Sequence, residues 1–294
     1  MFLIMKLKSH VLPDASFKDL LRIDDIFADI INVTLFCGHQ VINPNSLSYF
    51  DTELSQNIQY NDDVLSVIRR SDLMKRYSSS HMNILFGIEI QSVADKNMPI
   101  RIAGYTYLSY VILDKNKEKK IPVIMIVLYV GEREWKEGRR LSESLEVPKS
   151  LEDVFNDFQA PIYDIREIES KRCQSEELRD LVELLQKIYE RDFHFEEREY
   201  NKQACIVAFS ITGDKELLEI ANRKEGKIKM CEAIRELRYE AMMKGEIKGR
   251  EEGKREGEAK KQIEIAIKLK KNGKLSNEEI SFITGIPANQ LVML

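Results

Sequence analysis

The chain is poor in soft metal ligands, and the few it has are scattered. Its four cysteines, Cys37, Cys173, Cys205 and Cys231, never stand at the short spacing that zinc fingers and redox dithiols require. Reduced, structural thiols are expected. The four histidines, His10, His39, His81 and His194, are equally dispersed, so a zinc site or a histidine-based triad has no parts to build on. Long apolar runs are missing too. The longest, "IPVIMIVLYV" at 121 to 130, is about half of the roughly 20 residues that a membrane-spanning helix needs, and it carries a proline near its start. It reads as a central strand. No basic start followed by an apolar segment and a small-residue cleavage site opens the chain, so a cytoplasmic protein with no membrane partner is expected.

What is present suffices for one core of domain size with residues to spare, since 43% of the 294 residues are apolar. "SFKDLLRIDDIFADIINVTLF" spaces its apolar residues as a helix does, with a break near Asp24 and Asp25. A polar stretch from 38 to 64, with Gly38, Pro44, Asn45 and Ser46, reads as a loop. "SDLMKRYS" and "NILFGIEIQ" flank the polar "SSHM" and predict a β-hairpin. A helix follows from 97 to 113, with Pro99 in its first turn, where the missing N–H costs little. The apolar run at 121 to 130 and "APIYDIREI" supply two more strands, and 175 to 222 is helical. This order predicts an α/β layer, a small mixed sheet flanked by helices, with a helical C-terminal region.

Three segments are expected: a main domain over 1–222, a charged helical segment over 223–274 and a short C-terminal element over 275–294. The middle segment holds 17 Lys or Arg against 10 Asp or Glu, although the whole chain carries −4. Gly245, Gly249, Gly253 and Gly257 recur every fourth residue and would form a slowly drifting stripe on a helix. Each costs about 1 kcal/mol relative to Ala in a lone helix, so a partner helix on that stripe predicts at least a homodimer. A solvated, frayed charged helix is the plainer alternative. At the end, Ser276 and Glu279 form a capping box, and Gly285 and Pro287 divide two short helices. The outline is that of a helix-turn-helix. Its second helix, "PANQLVML", lacks Arg and Lys, which favours packing or oligomerisation over reading of DNA.

The polar pair Glu89 and Gln91 interrupts a strand that is otherwise apolar. Residues two apart share a face, so Leu85, Gly87, Glu89 and Gln91 oppose Ile84, Phe86, Ile88 and Ile90. Gly87 would leave room for a close approach, as a substrate backbone needs. Asp72 opens the neighbouring strand. Two carboxylates on adjacent strands can hold Mg²⁺, whereas Glu and Gln alternating with Ile can also be the wet face of a sheet. Asp25 and Asp29 on the first helix are further carboxylates of either kind. Arg101 and Tyr105 share one helix face and could contact a phosphate or merely cover the sheet.

The runs "RRSDLMKR", "ILFGIEIQS", "MPIRIAGYTYLSY" and "IPVIMIVLYVGEREWKEGRRLSE", in this order, resemble the PD-(D/E)XK nuclease family transposases, also called recombination-promoting nucleases. "FADIINVTLFCGHQVINPNSL" and the "LSNEEISFITGIP" ending fit the same group, so the likeness is nearly full length. It implies a restriction-endonuclease-like core that cleaves DNA with Mg²⁺, for which Mn²⁺ can substitute. On this sequence it implies Asp72 and Glu89 as metal carboxylates and Gln91 in the place of a lysine; Asp25, from its place on the first helix, is a possible third carboxylate. By their positions, Lys75, Arg101 and Tyr105 are possible DNA contacts, and Lys75 could also supply the cation that neutral Gln91 lacks. Ser71 replaces the proline before the first Asp, and Gln91 is neutral, so it orients water by hydrogen bonds without the charge of an ammonium. A weak or inactive relative that binds DNA or a protein through its C-terminal region is the alternative that the resemblance leaves open.

Overall fold

The computed structural model describes residues 13–50, 59–60, 63–64, 73–192, 195 and 197–293. Two compact units result, 1–233 and 234–294. The first begins with α1 (Pro13–Leu21) and α2 (Asp24–Leu35), split where Ile23 takes extended dihedrals, with Asp24 and Asp25 in the first turn of α2 complementing its dipole. Seven consecutive residues of α2, Ile26 to Asn32, are buried, as befits a helix enclosed on every side.

The stretch expected as loop contains an edge strand, β1 (Leu47–Tyr49), besides the small pair β2 (Gln59–Tyr60) and β3 (Asp63–Val64). Three residues are too few for alternation to appear in sequence. The backbone of β1 is fixed instead by pairing with β4 (Leu73–Ser78), Leu47 opposite Tyr77. β4 and β5 (Asn83–Gln91) form the expected antiparallel hairpin, with Leu73 opposite Ile88 and Ser78 opposite Asn83. Its turn is closed by the Ser79 hydroxyl, which accepts from Met82 N at 3.1 Å.

α3 (Met98–Lys115), with Pro99 in its first turn, crosses over to β6 (Val123–Tyr129), which runs parallel to β5 and to β7 (Ile162–Asp164). The sheet is therefore mixed, in the order β1-β4-β5-β6-β7. Met98, Ile102, Tyr105 and Ile112 of α3 pack on the face that carries Leu85, Met125 and Val127. On the other face, α2 reaches the sheet where the Lys75 ammonium lies over the Phe27 ring at 5.0 Å. Both faces of the central strands are thus dry, as parallel strands usually are.

α4 (Glu176–Tyr189) is capped by Ser175, and after β8 (Glu199–Tyr200) it packs on α5 (Lys202–Thr212), which is followed by α6 (Lys215–Arg223) and β9 (Ile228–Lys229). α7 (Met230–Asn272) is a single long helix that runs from the first unit into the second. Within the second unit, Ala266 of α7, Ile280 of α8 (Asn277–Thr284) and Leu291 of α9 (Ala288–Leu291) enclose a small apolar cluster with Ile286. The capping box of Ser276 and Glu279 forms, and Gly285 ends α8 at φ +73°. The four glycines of α7 face open space, with nothing within 4 Å of where a Cβ would stand. Among the described residues, no helix is long and apolar enough to cross a membrane.

Candidate functional site

The register of the sheet decides what surrounds Glu89. Gly87, Glu89 and Gln91 lie beside Met125, Val127 and Tyr129 of β6, all on the face that α3 covers. Glu89 is 1% exposed, so it is a buried carboxylate rather than the wet side of a sheet. Such a group requires polar partners. Gln91 Nε2 donates to Glu89 Oε1 at 2.8 Å, and Arg101 Nη2 forms an ion pair with the same oxygen. The space above Gly87 is filled by the thioether of Met125 and by Met74 Cγ at 3.3 Å from a would-be Cβ. The room expected for a substrate backbone is thus taken by the chain's own side chains.

Arg101 reaches Glu89 because α3 starts where it does. Asp95 Oδ1 accepts from Asn97 N at 2.9 Å, and Asp95 O accepts from Met98 N at 3.0 Å, which fixes the first turn of the helix. The second oxygen, Asp95 Oδ2, takes Arg101 Nη1 at 3.1 Å. Arg101 Nη2 also donates to the Tyr105 hydroxyl at 3.3 Å. Burial alone would lower the Arg101 pKa, but the Tyr105 hydrogen bond, the Glu89 charge and Asp95 outweigh it and hold the guanidinium above its ordinary range. Arg101 is a fixed positive charge between two carboxylates. Asp95 escaped the sequence reading, although "ADKNMP" has the Asx-turn pattern that starts a helix.

The other expected site residues lie elsewhere. Lys75 sits opposite Phe86, on the face away from Glu89, and its ammonium donates to Asp24 Oδ1 at 2.6 Å and to Arg22 O at 2.7 Å. It cannot stand beside Gln91, because the pairing register turns it to α2. Asp25, exposed in the first turn of α2, is on that same side and is not brought to Glu89. Tyr105 is buried in the core against the sheet, so its hydroxyl meets Arg101 and not solvent. Asp29 is buried as well and holds the start of α4: its Oδ2 accepts from Gln174 N and Ser175 N, both at 2.9 Å, and from Ser175 Oγ at 3.0 Å. Asp72, which precedes β4 in sequence, lies outside the described residues.

The carboxyl ends of the parallel strands line up. Gln91 is level with Tyr129, and Tyr129 with Asp164. Asp164 is buried and paired with Arg166, whose Nη2 also donates to Arg133 O at 3.2 Å and so ties down the loop after β6. Trp135 of that loop meets the Tyr129 ring edge-on at 5.2 Å. Gly131 packs against Ser92 O and the Tyr129 hydroxyl so closely that a Cβ would collide with both. A cleft of about 730 Å³ opens between the loops, walled by Val93, Tyr129, Arg133 and Lys136 among others. Glu89 is not one of its walls.

A hard cation takes oxygen ligands, and two carboxylates with an adjacent amide are of that chemistry. Glu89 and Asp95 already converge on one positive group, the Arg101 guanidinium. Among the described residues, no group of three His, Cys, Asp or Glu side chains could hold a metal ion.

A mixed five-stranded sheet with helices on both faces is an α/β architecture consistent with a restriction-endonuclease-like core. Residues 14–204 match the model of the family described as "Putative transposase, YhgA-like", and the chain belongs to that family. Comparison with curated proteins and with solved structures gave no match.

Proposed function

We propose that the chain is a Mg²⁺-dependent DNA endonuclease that hydrolyses phosphodiester bonds in recombination or the movement of mobile elements. The observation that carries this reading is Glu89, a carboxylate 1% exposed at the end of an apolar strand, held by Gln91 and Arg101 in a family of nuclease type. A structural role alone gives no reason to bury a carboxylate there, since apolar residues of similar volume stabilise a core as well as or better than an ion pair.

Glu89, with Asp72, would hold the cation, Mg²⁺ or Mn²⁺. When bound, the cation polarises a phosphate oxygen and lowers the pKa of a coordinated water. Gln91 is half-exposed, so its amide can orient a water by hydrogen bonds while it steadies Glu89. It cannot act as a base, being neutral. Purified protein with Mg²⁺ or Mn²⁺ should nick supercoiled plasmid, and Asp72→Ala and Glu89→Gln should each lose the activity. Cleavage by Glu89→Gln at the wild-type rate would reject this assignment.

One observation favours a second reading. Arg101 already neutralises Glu89, and Gln91 supplies no charge, as suits a relative that has kept binding and lost catalysis. The excess of Lys and Arg over 223–274 would then carry DNA or protein binding. In that case, removal of residues 223–294 abolishes DNA binding, Glu89→Gln leaves it unchanged, and no variant nicks plasmid.

A further inference from the structure

We propose that the outer face of α3 is the contact surface for a second copy of this chain, the two helices packing antiparallel about a two-fold axis. α3 is apolar on both of its faces. Met98, Ile102, Tyr105 and Ile112 form the inner one, which covers the sheet. Ile100, Gly104, Tyr107 and Val111 stand at i, i+4, i+7 and i+11, a spacing that aligns them in one stripe along the opposite face. Ile100 is 52% exposed and Tyr107 67%. From Ile100 to Leu113 the one charged residue is Arg101, and its side chain turns inward to Glu89 and Asp95. A solvated helix face carries charged residues, which make up 32% of this chain. A helix apolar all round belongs in an interior, and a second copy would complete one here.

The order of residues along the stripe fits a copy of itself. In an isologous contact residue i meets j and j meets i, so partners must stand symmetrically about one point. Ile100 and Val111 share their midpoint with Gly104 and Tyr107, between Tyr105 and Thr106. Antiparallel pairing about that point sets each Tyr107 ring over Gly104 of the second copy, where nothing of its own chain stands within 4 Å of a would-be Cβ. Gly104 thus supplies a slot, which gives a reason for a residue that weakens the middle of a helix relative to alanine. The charges at the two ends agree. Exposed Lys96, just before α3, and exposed Asp114, in its last turn, lie almost symmetrically about the same midpoint, so antiparallel pairing brings Lys96 of each copy toward Asp114 of the other. Parallel pairing would set like charges together instead. Asp114 pairs within its own chain with Lys120 at 3.4 Å, an exposed contact that contributes little and is easily exchanged.

Sedimentation of the full chain at micromolar concentration tests this, with circular dichroism to show that each variant is folded. Wild type should be a dimer. Gly104→Leu fills the slot, and because the space around Gly104 is open in the single copy it leaves the fold intact; it should weaken the dimer about tenfold or more. Tyr107→Glu, at a side chain exposed in the single copy, should do the same by placing a charge in an apolar contact, and it decides the matter should Gly104→Leu fail to fold. Lys96→Glu should weaken the dimer about threefold or more, and Asp114→Lys added to it should restore the lost strength. A monomeric wild type overturns the proposal and leaves another segment of chain as the cover of α3. A dimer that Gly104→Leu and Tyr107→Glu leave at wild-type strength also overturns it and moves the association to α7. A dimer broken by those two variants but unmoved by Lys96→Glu, with no effect of the charge exchange, overturns the antiparallel pairing. None of these readouts involves DNA cleavage, so the failure of the nuclease reading would leave them standing.

Discussion

Asp29→Ala should be among the most damaging single substitutions in the first unit, although Asp29 touches no part of the candidate site. Its Oδ2 receives three donors, Gln174 N, Ser175 N and Ser175 Oγ, and so ties α2 to the first turn of α4 across 145 residues of sequence. Hydrogen bonds to a charged acceptor are worth about 1.5–3 kcal/mol each. Two effects reduce the sum. Gln174 is exposed, so water can replace the acceptor there, and among the described residues Asp29 Oδ1 is buried without a hydrogen-bond partner, so removal of the carboxylate also ends a desolvation cost. A net loss of about 2–4 kcal/mol remains once these are set against the bonds. Asp29→Asn keeps one acceptor oxygen and should lose about half as much. Urea titration followed by the fluorescence of Trp135, the one tryptophan of the chain, reads this directly because it reports on the same unit. A midpoint for Asp29→Ala that translates to less than about 0.5 kcal/mol, the scale of a neutral surface change, would refute the reasoning.

Gly87→Ala should cost about 1–3 kcal/mol through overpacking, toward the lower end because the obstacle is the flexible end of Met125. Pairing it with Met125→Ala should recover part of that loss in the same denaturation assay, and the lack of any recovery would show that the steric account is wrong. Burial first, and then the Asp29 charge, pushes the Cys173 thiol up to about 12, and burial with Asp180 does the same for Cys205. The folded chain keeps these protons where an unfolded thiol loses them near pH 8.5, so this contribution is whole below about pH 8.5 and is lost as pH rises toward about 12. Stability should fall steadily above pH 9, and a thiol reagent at pH 8 should label exposed Cys37 in the native protein but Cys173 and Cys205 only after denaturation. Replacing Gly245, Gly249, Gly253 and Gly257 by Ala should stabilise an isolated α7 by about 1 kcal/mol per site. If a second copy packs on the stripe, the same change should weaken self-association in sedimentation, whereas an unchanged monomeric mass for both proteins would remove the dimer proposal.

Features set by neighbours in sequence are legible in the sequence itself. The hairpin around "SSHM", Pro99 in the first turn of α3, and the Ser276–Glu279 capping box each depend on residues a few positions apart. The surroundings of Glu89 were not. Alternation correctly put Glu89 and Gln91 on one face, but it could not say that α3 roofs that face, because the covering residues Ile102 and Tyr105 come from another element. Lys75 was misread for the same reason: which face it takes depends on its standing opposite Phe86, a matter of register and not of composition. Arg101 looked equally suited to solvent or interior until the start of α3, fixed by Asp95, aimed it at Glu89.

The connection from β6 to β7 spans residues 130 to 161 and contains short helical turns and one antiparallel bridge, Arg140 with Gln159, yet it leaves and returns at strand ends held level by Tyr129 and Asp164. Its anchor is the clasp of Arg166 on the Arg133 carbonyl, outside the hydrogen-bonded ladder. Selection can therefore rewrite the middle of this excursion, in length and in charge, without disturbing the frame on which Glu89 rests.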